Sequence, residues 1–549
     1  MRKILIFVFS VLTVYNCSVN KKKLSKKMLE NTFYYKLNIN PLDNGIEFKI
    51  SLSYICDSIH KVELPKDYYG TPSIDKWVTR FNGVKGTKVE GNVASRFVTP
   101  NYDNEVHLNY TIIYDPDQIN KFSYAPNISS SYFYMAGCQW MLPSYPLDSI
   151  SNYQIQLSTR KSGWSFYSSL SENANKINIK SSYEDLISAG FGGSSESQIK
   201  EIFYIKDNKI SVYFNGYFAF DKKQFLISLK QVVSKQKDFF KDYSQPFYNI
   251  TILPRDGLMA GASIPNLFYC FVDSNKDGVD IYKLISHEYF HNWLPNKFNL
   301  KTPPGQRYSK REWFSEGFTE YLSRLFLLES NIINQQQLVE MFNDDIVKIA
   351  NNPLGKKSYN EILMSNGAAK KKLNYYRGPL IALKWDTELK KNGSSIKKMI
   401  LSLFKESENS NGFINDSTLY EFGQKHGLNF KADVKRYIIL GEEIELLHDA
   451  FKGFKLKKES INLFYPGYNV TESSKKKTII GVDPNGPSYK AGLRNGMQYL
   501  TRKNSNIWSN GWSVDEPFVV TVKIKDEEKK ISFFPNGKEH TLNLYKNND

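Results

Sequence analysis

Three stretches of different hydrophobic period run along this 549-residue chain, and together they predict a multidomain α+β fold. From about Phe33 to Tyr213 apolar and polar residues alternate. From Lys222 the spacing turns helical, and after about Leu447 strand and turn signals return. The expected parts are an N-terminal signal segment over 1–17, a linker over 18–32, a β-sandwich-like domain over 33–220, a mostly helical domain over 221–450 and a β domain over 455–549.

The first segment is a targeting signal in character. Arg2 and Lys3 precede an apolar run from Ile4 to Val14, which is too short to span a bilayer comfortably. Val14-Tyr15-Asn16-Cys17 resembles a bacterial lipoprotein processing site with Cys17 as the acylated residue; Tyr15 and Asn16 are bulkier than usual there, and cleavage as an ordinary secreted protein is the alternative. Both readings export the chain, to a periplasm or cell surface, with membrane contact only through a lipid on Cys17.

In the N-terminal domain Ile46, Phe48, Ile50, Leu52 and Tyr54 alternate with Glu47, Lys49, Ser51 and Ser53, the period of a half-buried strand. Tyr153, Ile155 and Leu157 repeat the pattern, and Pro41-Leu42-Asp43-Asn44-Gly45 is a turn. Helical spacing begins with Phe225, Leu229, Val232, Val233, Gln236 and Phe240. A strand over Tyr248–Leu253 and the glycine-bearing stretch from Asp256 to Gly261 follow, then a helix whose expected cap is Asp280. Asp273, Asn275, Asp277 and Gly278 imitate the opening of a calcium loop, but the closing glutamate is replaced by Leu284, so the stretch reads as a turn.

Composition narrows the partners. Tyr and Phe number 36 each, as in a packed globular chain, and the net charge is +17. The lysines are spread along the chain without an aromatic-interleaved basic module, which argues for a solvated surface and against nucleic acid as a partner. With Cys17 set aside, Cys56, Cys138 and Cys270 are an odd number and form no C-x-x-C pair, which argues against a thiolate metal site while one disulfide of unnamed partners stays open.

The chemistry concentrates in Ile285-Ser286-His287-Glu288-Tyr289-Phe290-His291. Two histidines four residues apart lie on one helix face and can reach one ion, and the chain has only 7 histidines from which to make the pair. Glu316, in Trp313-Phe314-Ser315-Glu316-Gly317-Phe318-Thr319-Glu320, follows after room for a loop marked by Pro303-Pro304-Gly305 and a second helix. Two histidines and a glutamate make a three-ligand zinc site with a position left for water. Glu320, one turn further, is placed either to accept from the second nitrogen of a ligand histidine or to sit on a solvated face. Glu288 would act as general base toward the attacking water and later return the proton to the departing amine. Tyr375 and Tyr376, in Asn374-Tyr375-Tyr376-Arg377-Gly378, each offer a phenol for the oxyanion.

HEYFHNW, WFSEGFTEY and YYRG ahead of an apolar helix resemble the gluzincin metallopeptidases and, more closely, the glycyl aminopeptidase family, over most of the chain. The resemblance implies an N-terminal β domain, a thermolysin-like catalytic domain and a C-terminal PDZ domain. It implies one Zn²⁺ on His287, His291 and Glu316, Glu288 as base, and Tyr375 over Tyr376 because the family's tyrosine lies three residues before a glycine. Aminopeptidases of this kind carry a glutamate for the substrate amine on a glycine-rich strand; here Met259-Ala260-Gly261-Ala262-Ser263-Ile264 has no acidic residue, and Ser263 or a neighbour takes its place.

At the C-terminus, Ile479 to Gly496, with a proline-bearing turn and a helix beginning near Ser488, resembles a bacterial PDZ domain, which implies a peptide C-terminus or strand as ligand. Pro466-Gly467-Tyr468 is the candidate carboxylate loop. The expected function is a zinc metallopeptidase acting on peptides or proteins, an aminopeptidase for small N-terminal residues by resemblance. An endopeptidase is the alternative that the missing acid favours. A non-catalytic peptide-binding surface protein on a peptidase scaffold is the alternative outside enzymes.

Overall fold

The computed structural model describes residues 28–29, 31–64, 74–92, 95–115, 125–142, 150–275, 279–302, 311–365, 368–503, 514 and 516–548. The signal segment with Cys17, Asp277, Gly278 and the Pro303–Gly305 turn lie outside them. Among the described residues no helix is long and apolar enough to cross a membrane.

Alternation builds the N-terminal part as expected. Thr32–Leu42 and Gly45–Ile55 form an antiparallel hairpin joined by Asp43 and Asn44, with Leu37, Ile39, Phe48, Ile50 and Leu52 on the buried face. They sit inside a six-stranded sheet, where Thr32–Leu42 runs parallel to Ser151–Thr159. A four-stranded sheet containing Tyr132–Ala136 and Gly190–Ser195 covers the apolar face, and Phe48 meets Phe133 edge-on at 5.3 Å across that core.

The next two strands depart from the expected division. Ile199–Ile205 and Asn208–Phe214, read from sequence as the end of the 33–220 domain, pair instead with the central part. Asn208–Phe214 runs parallel to Phe247–Pro254, and Ile205, Ile210, Val212 and Phe214 belong to the central core. Period-2 alternation marks a strand but not the sheet that receives it. The helix Lys222–Phe240, capped by the Asp221 carboxylate, makes the crossover between the two parallel strands and buries Phe225, Leu229, Val232, Val233 and Phe240. The sheet ends with Leu267–Val272 and, antiparallel to it at the edge, Ala260–Ile264.

Helices pack behind that sheet: Val279–Phe290, Glu312–Glu329, Gln335–Asn351, Ala368–Lys391 and Ile396–Ser407. The helix begins at Val279, so Asp280, expected as its cap, is instead its second residue and lies inside the first turn. Glu312–Glu329 and Ala368–Lys391 cross where Gly317 faces Gly378; a methyl on Gly317 would stand 2.4 Å from the Gly378 Cα, so only glycine permits this approach.

A two-stranded ribbon, Phe454–Phe464 with Asn536–Asn547, roots in the helical core through Phe454 and Tyr545. The C-terminal sheet, Gln498–Lys503, Phe518–Ile524 and Glu527–Phe533, has a separate small core of Tyr468, Ile479, Leu493, Phe518 and neighbours. A short helix spans Pro487–Lys490 where one was expected near Ser488. Gly467, in the candidate carboxylate loop, is packed against Gly486 and accepts from the Ser488 hydroxyl at 3.0 Å through its carbonyl. The three described cysteines, Cys56, Cys138 and Cys270, are buried and unpaired, so none of them supplies the disulfide left open by sequence.

Candidate active site

Helix Val279–Phe290 is apolar on most sides and buried at Ile281, Ile285, Tyr289 and Phe290. Gln236, on the crossover helix, donates to the Ser286 carbonyl at 2.9 Å, while the Ser286 hydroxyl donates to the Ser323 carbonyl at 3.0 Å. These bonds fix the rotation of the helix, which turns His287, Glu288 and His291 toward one spot. Their ligand atoms lie within 4.8 Å of one another.

Helix Glu312–Glu329 brings Glu316 to the same spot. Its Oε2 stands 3.3 Å from His287 Nε2 and 3.5 Å from His291 Nε2. That oxygen is buried and makes no hydrogen bond. Three donors about 2.0–2.1 Å from one tetrahedral ion would stand about 3.3 Å apart, so the set fits zinc. The opposite imidazole nitrogens are already engaged. His287 Nδ1 meets Glu320 Oε2 at 2.9 Å and His291 Nδ1 meets the Leu294 carbonyl at 2.8 Å, which leaves both Nε2 atoms facing Glu316.

The Glu320 contact continues inward. Arg324 donates to Glu320 Oε1 from Nε at 3.0 Å and Nη2 at 2.8 Å, and to Asp345 Oδ2 from Nη1 at 2.6 Å. Arg324 and Asp345 are buried. His287, Glu320, Arg324 and Asp345 thus alternate in charge from the cleft into the core. In the protein without metal, burial disfavours the charged form of both Glu316 and Glu320. The histidines outweigh that for Glu316, and Arg324 with His287 for Glu320, so both carboxylates stay well below the usual range.

Glu288 has a different environment. Burial raises its carboxyl above the ordinary value, against the lowering effect of His291 and His287. A half-buried carboxylate with a raised pKa beside two histidines suits a group that takes and returns a proton. Opposite it runs the edge strand Ala260–Ile264: a methyl on Gly261 would lie 3.2 Å from Glu288 Cγ, so the strand passes directly over this carboxylate's side chain. The Ser263 hydroxyl sits 3.2 Å from the Tyr248 hydroxyl. The strand itself carries no acidic residue. Asp256, the nearest acidic residue before it in sequence, is exposed and accepts from the Ser274 hydroxyl at 3.2 Å.

Tyr375 and Tyr376 separate cleanly. The Tyr375 ring stacks on His287 with centroids 5.6 Å apart, whereas Tyr376 lies beneath Lys348, whose Nζ is 5.6 Å from its ring centroid. The Gly317–Gly378 crossing is what brings Tyr375 this close, since the glycine follows it by three residues on the same helix. Arg324, Asp345 and Gly317 were not singled out from sequence. The glutamate-to-arginine spacing of one turn was a usable signal for Arg324; nothing local marks Asp345, which arrives from the next helix.

A sheet carrying a crossover helix, a two-histidine helix and a glutamate helix at this spacing defines a zinc metallopeptidase. Residues 280–383, which hold both ligand motifs and Tyr375, match the family model described as M61 glycyl aminopeptidase. Over those residues the chain is similar to the glycyl aminopeptidases. Its fold is similar to the crystal structure of an aminopeptidase N family protein from Idiomarina loihiensis, at 15% identity over 93% of this chain and 98% of that one, with a TM-score of 0.66. Native yeast LTA4 hydrolase (14% identity, 75% of this chain, 68% of that one, TM-score 0.43) and an M1 zinc metallopeptidase from Deinococcus radiodurans (13%, 76%, 95%, 0.42) are more distant. No curated protein sequence matches the chain.

Proposed function

We propose that the protein is an aminopeptidase in which His287, His291 and Glu316 hold a single zinc ion, Glu288 is the general base and Tyr375 the oxyanion donor. The observation that carries this reading is the position of Glu288, half-buried beside the two histidines and under the edge strand at Gly261. Bound zinc supplies a Lewis acid that acidifies water and polarises a carbonyl. Glu288 takes the proton of the attacking water and delivers it to the departing amine. The Tyr375 hydroxyl donates to the oxygen on which negative charge develops. The edge strand offers backbone groups to an extended substrate, which would lie over Gly261 because no side chain there obstructs it.

Preference for small N-terminal residues is the family-level expectation. Endopeptidase action is favoured by one observation, the absence of an acidic residue on Ala260–Ile264, because a buried ammonium without a counter-charge is costly. Export through the 1–17 segment, with or without a lipid on Cys17, and peptide capture by the C-terminal sheet complete the proposal. The test compares a free peptide with its N-acetylated form, using wild type and Glu288→Gln at matched zinc content. Glu288→Gln is expected to keep zinc and lose about 10²–10⁴-fold in kcat/KM. Equal cleavage by the two proteins refutes Glu288 as base; efficient cleavage of the blocked peptide refutes the aminopeptidase reading.

A further inference from the structure

Away from the metal centre, a cavity of about 590 Å³ opens between the helical core and the ribbon. Its size falls in the roughly 300–1,000 Å³ range of ligand sites. Ile346 and Leu380 belong to its floor, the outer strand of the ribbon to one wall, and the extended stretch Glu442–Leu446 to the other.

The ribbon wall is an unpaired strand edge. In the Phe454–Phe464/Asn536–Asn547 ladder, Tyr545 lies opposite Leu456, Asn543 opposite Lys458 and Thr541 opposite Ser460. The backbone of Tyr545 points away from its partner strand, because its N–H donates to Asn343 Oδ1 at 2.8 Å and its carbonyl accepts from Asn343 Nδ2 at 2.9 Å. Asn343 therefore imitates one residue of a third strand. By the two-residue repeat, Asn543 and Thr541 also present N–H and C=O outward, and no hydrogen bond of the described residues meets those groups. Both residues line the cavity.

The floor adds a charge. Arg377 is buried, lines the cavity, and spends Nη2 on the carbonyls of Gly355 at 2.6 Å and Gly441 at 3.3 Å. No carboxylate pairs with it among the described residues, and burial alone draws its pKa down to about 10. Three glutamates also line the cavity: Glu442 and Glu445 are held by Arg436 at 2.8 and 2.7 Å, and Glu443 is exposed and makes no ion pair with Arg377. An open strand edge, an apolar floor and an uncompensated guanidinium call for an extended chain that ends in, or carries, a carboxylate.

We infer that this cavity is a second, non-catalytic peptide site, where a short extended peptide adds to the ribbon edge at Thr541 and Asn543 and directs a carboxylate to Arg377. Alternate apolar side chains of such a peptide would rest on Ile346 and Leu380. The site is independent of the metal and of the cleavage reading above.

The probe is fluorescein-Val-Leu-Val-Leu with a free C-terminal carboxylate, and its C-terminal amide, titrated by anisotropy into the full-length Glu288→Gln chain so that the probe persists. The carboxylate form is expected to bind saturably and the amide about tenfold more weakly. Thr541→Pro removes one outward N–H from an exposed position without touching the ladder to the other strand, and should weaken binding about tenfold. The same substitution in the otherwise wild-type chain leaves peptidase activity unchanged. Arg377→Gln should abolish the difference between acid and amide; if that variant does not fold, the amide comparison and Thr541→Pro still decide. Equal binding by the chain with and without Thr541→Pro, as capture by the C-terminal sheet would give, overturns the assignment. So does the absence of saturable binding below about 1 mM.

Discussion

The two walls of the candidate active site are built on opposite terms. On the metal wall the groups behind the Glu316 oxygen are paired: His287 meets Glu320, Glu320 meets Arg324, Arg324 meets Asp345, and His291 meets the Leu294 carbonyl. On the facing wall the strand Ala260–Ile264 offers backbone groups, a glycine over Glu288 and one hydroxyl, with no charge of its own. A metal centre demands pre-set ligand orientation, because the ion's geometry tolerates little error. A peptide can instead be held by main-chain hydrogen bonds that are the same for any sequence. The contrast teaches that this protein specifies its metal far more tightly than the end of its substrate.

The largest effect should come from cutting the metal wall at its root. Asp345→Ala leaves Arg324 buried with half its partners, and a loss of about 3–5 kcal/mol is expected in urea or thermal unfolding of the zinc-loaded chain. Unchanged stability would mean that the network is no brace. Next in size is Glu320→Gln, which keeps the shape but removes the charge facing His287. Zinc affinity measured by competition with a chelator should fall about 10–100-fold, with folding retained. An unaltered affinity would reduce Glu320 to a bystander.

On the opposite wall, Ser263→Asp supplies the missing acid. The ratio of free-peptide to N-acetylated-peptide cleavage should rise about tenfold, near 1.4 kcal/mol. A ratio that stays put would show that the amine does not pass Ser263.

The smallest effect sharpens the comparison with a second buried cation. Lys237 is buried like Arg324, but its direct partners are amide oxygens, Asn208 Oδ1 at 2.9 Å and Gln245 Oε1 at 3.5 Å. Burial lowers its pKa from 10.5 to about 8, with only partial opposition from Asp242. The unfolded chain then holds this proton over a pH range where the folded chain has released it. Stability should therefore rise with pH through that window, by about 1 kcal/mol between about pH 7 and 9. Chemical denaturation across that range should show the rise in wild type and a flatter profile in Lys237→Met.

How far the sequence alone reached can be judged residue by residue. His287, Glu288 and His291 were legible because helical spacing puts i and i+4 on one face whatever the surroundings. Glu316 was legible because a second helix at that separation can return to the first. Of the two tyrosines, residue chemistry could not choose; only the family's spacing to Gly378 did, and the stacking on His287 agrees with it. The strands at 199–214 were legible as strands and misassigned to a domain, because alternation reports burial of a face and not the identity of the sheet beneath it.

What the sequence determined by itself, then, is local: period, caps, turns, and the ligand set that one helix and its neighbour can hold. What tertiary structure decided is every relation that depends on close approach between distant segments. Gly317 against Gly378 sets how near Tyr375 comes to the metal site. Asp345 reaches Arg324 from another helix, and the edge strand is laid over Glu288 at Gly261. None of these has a sequence period, because each is fixed by the packing of two elements and not by the repeat of one.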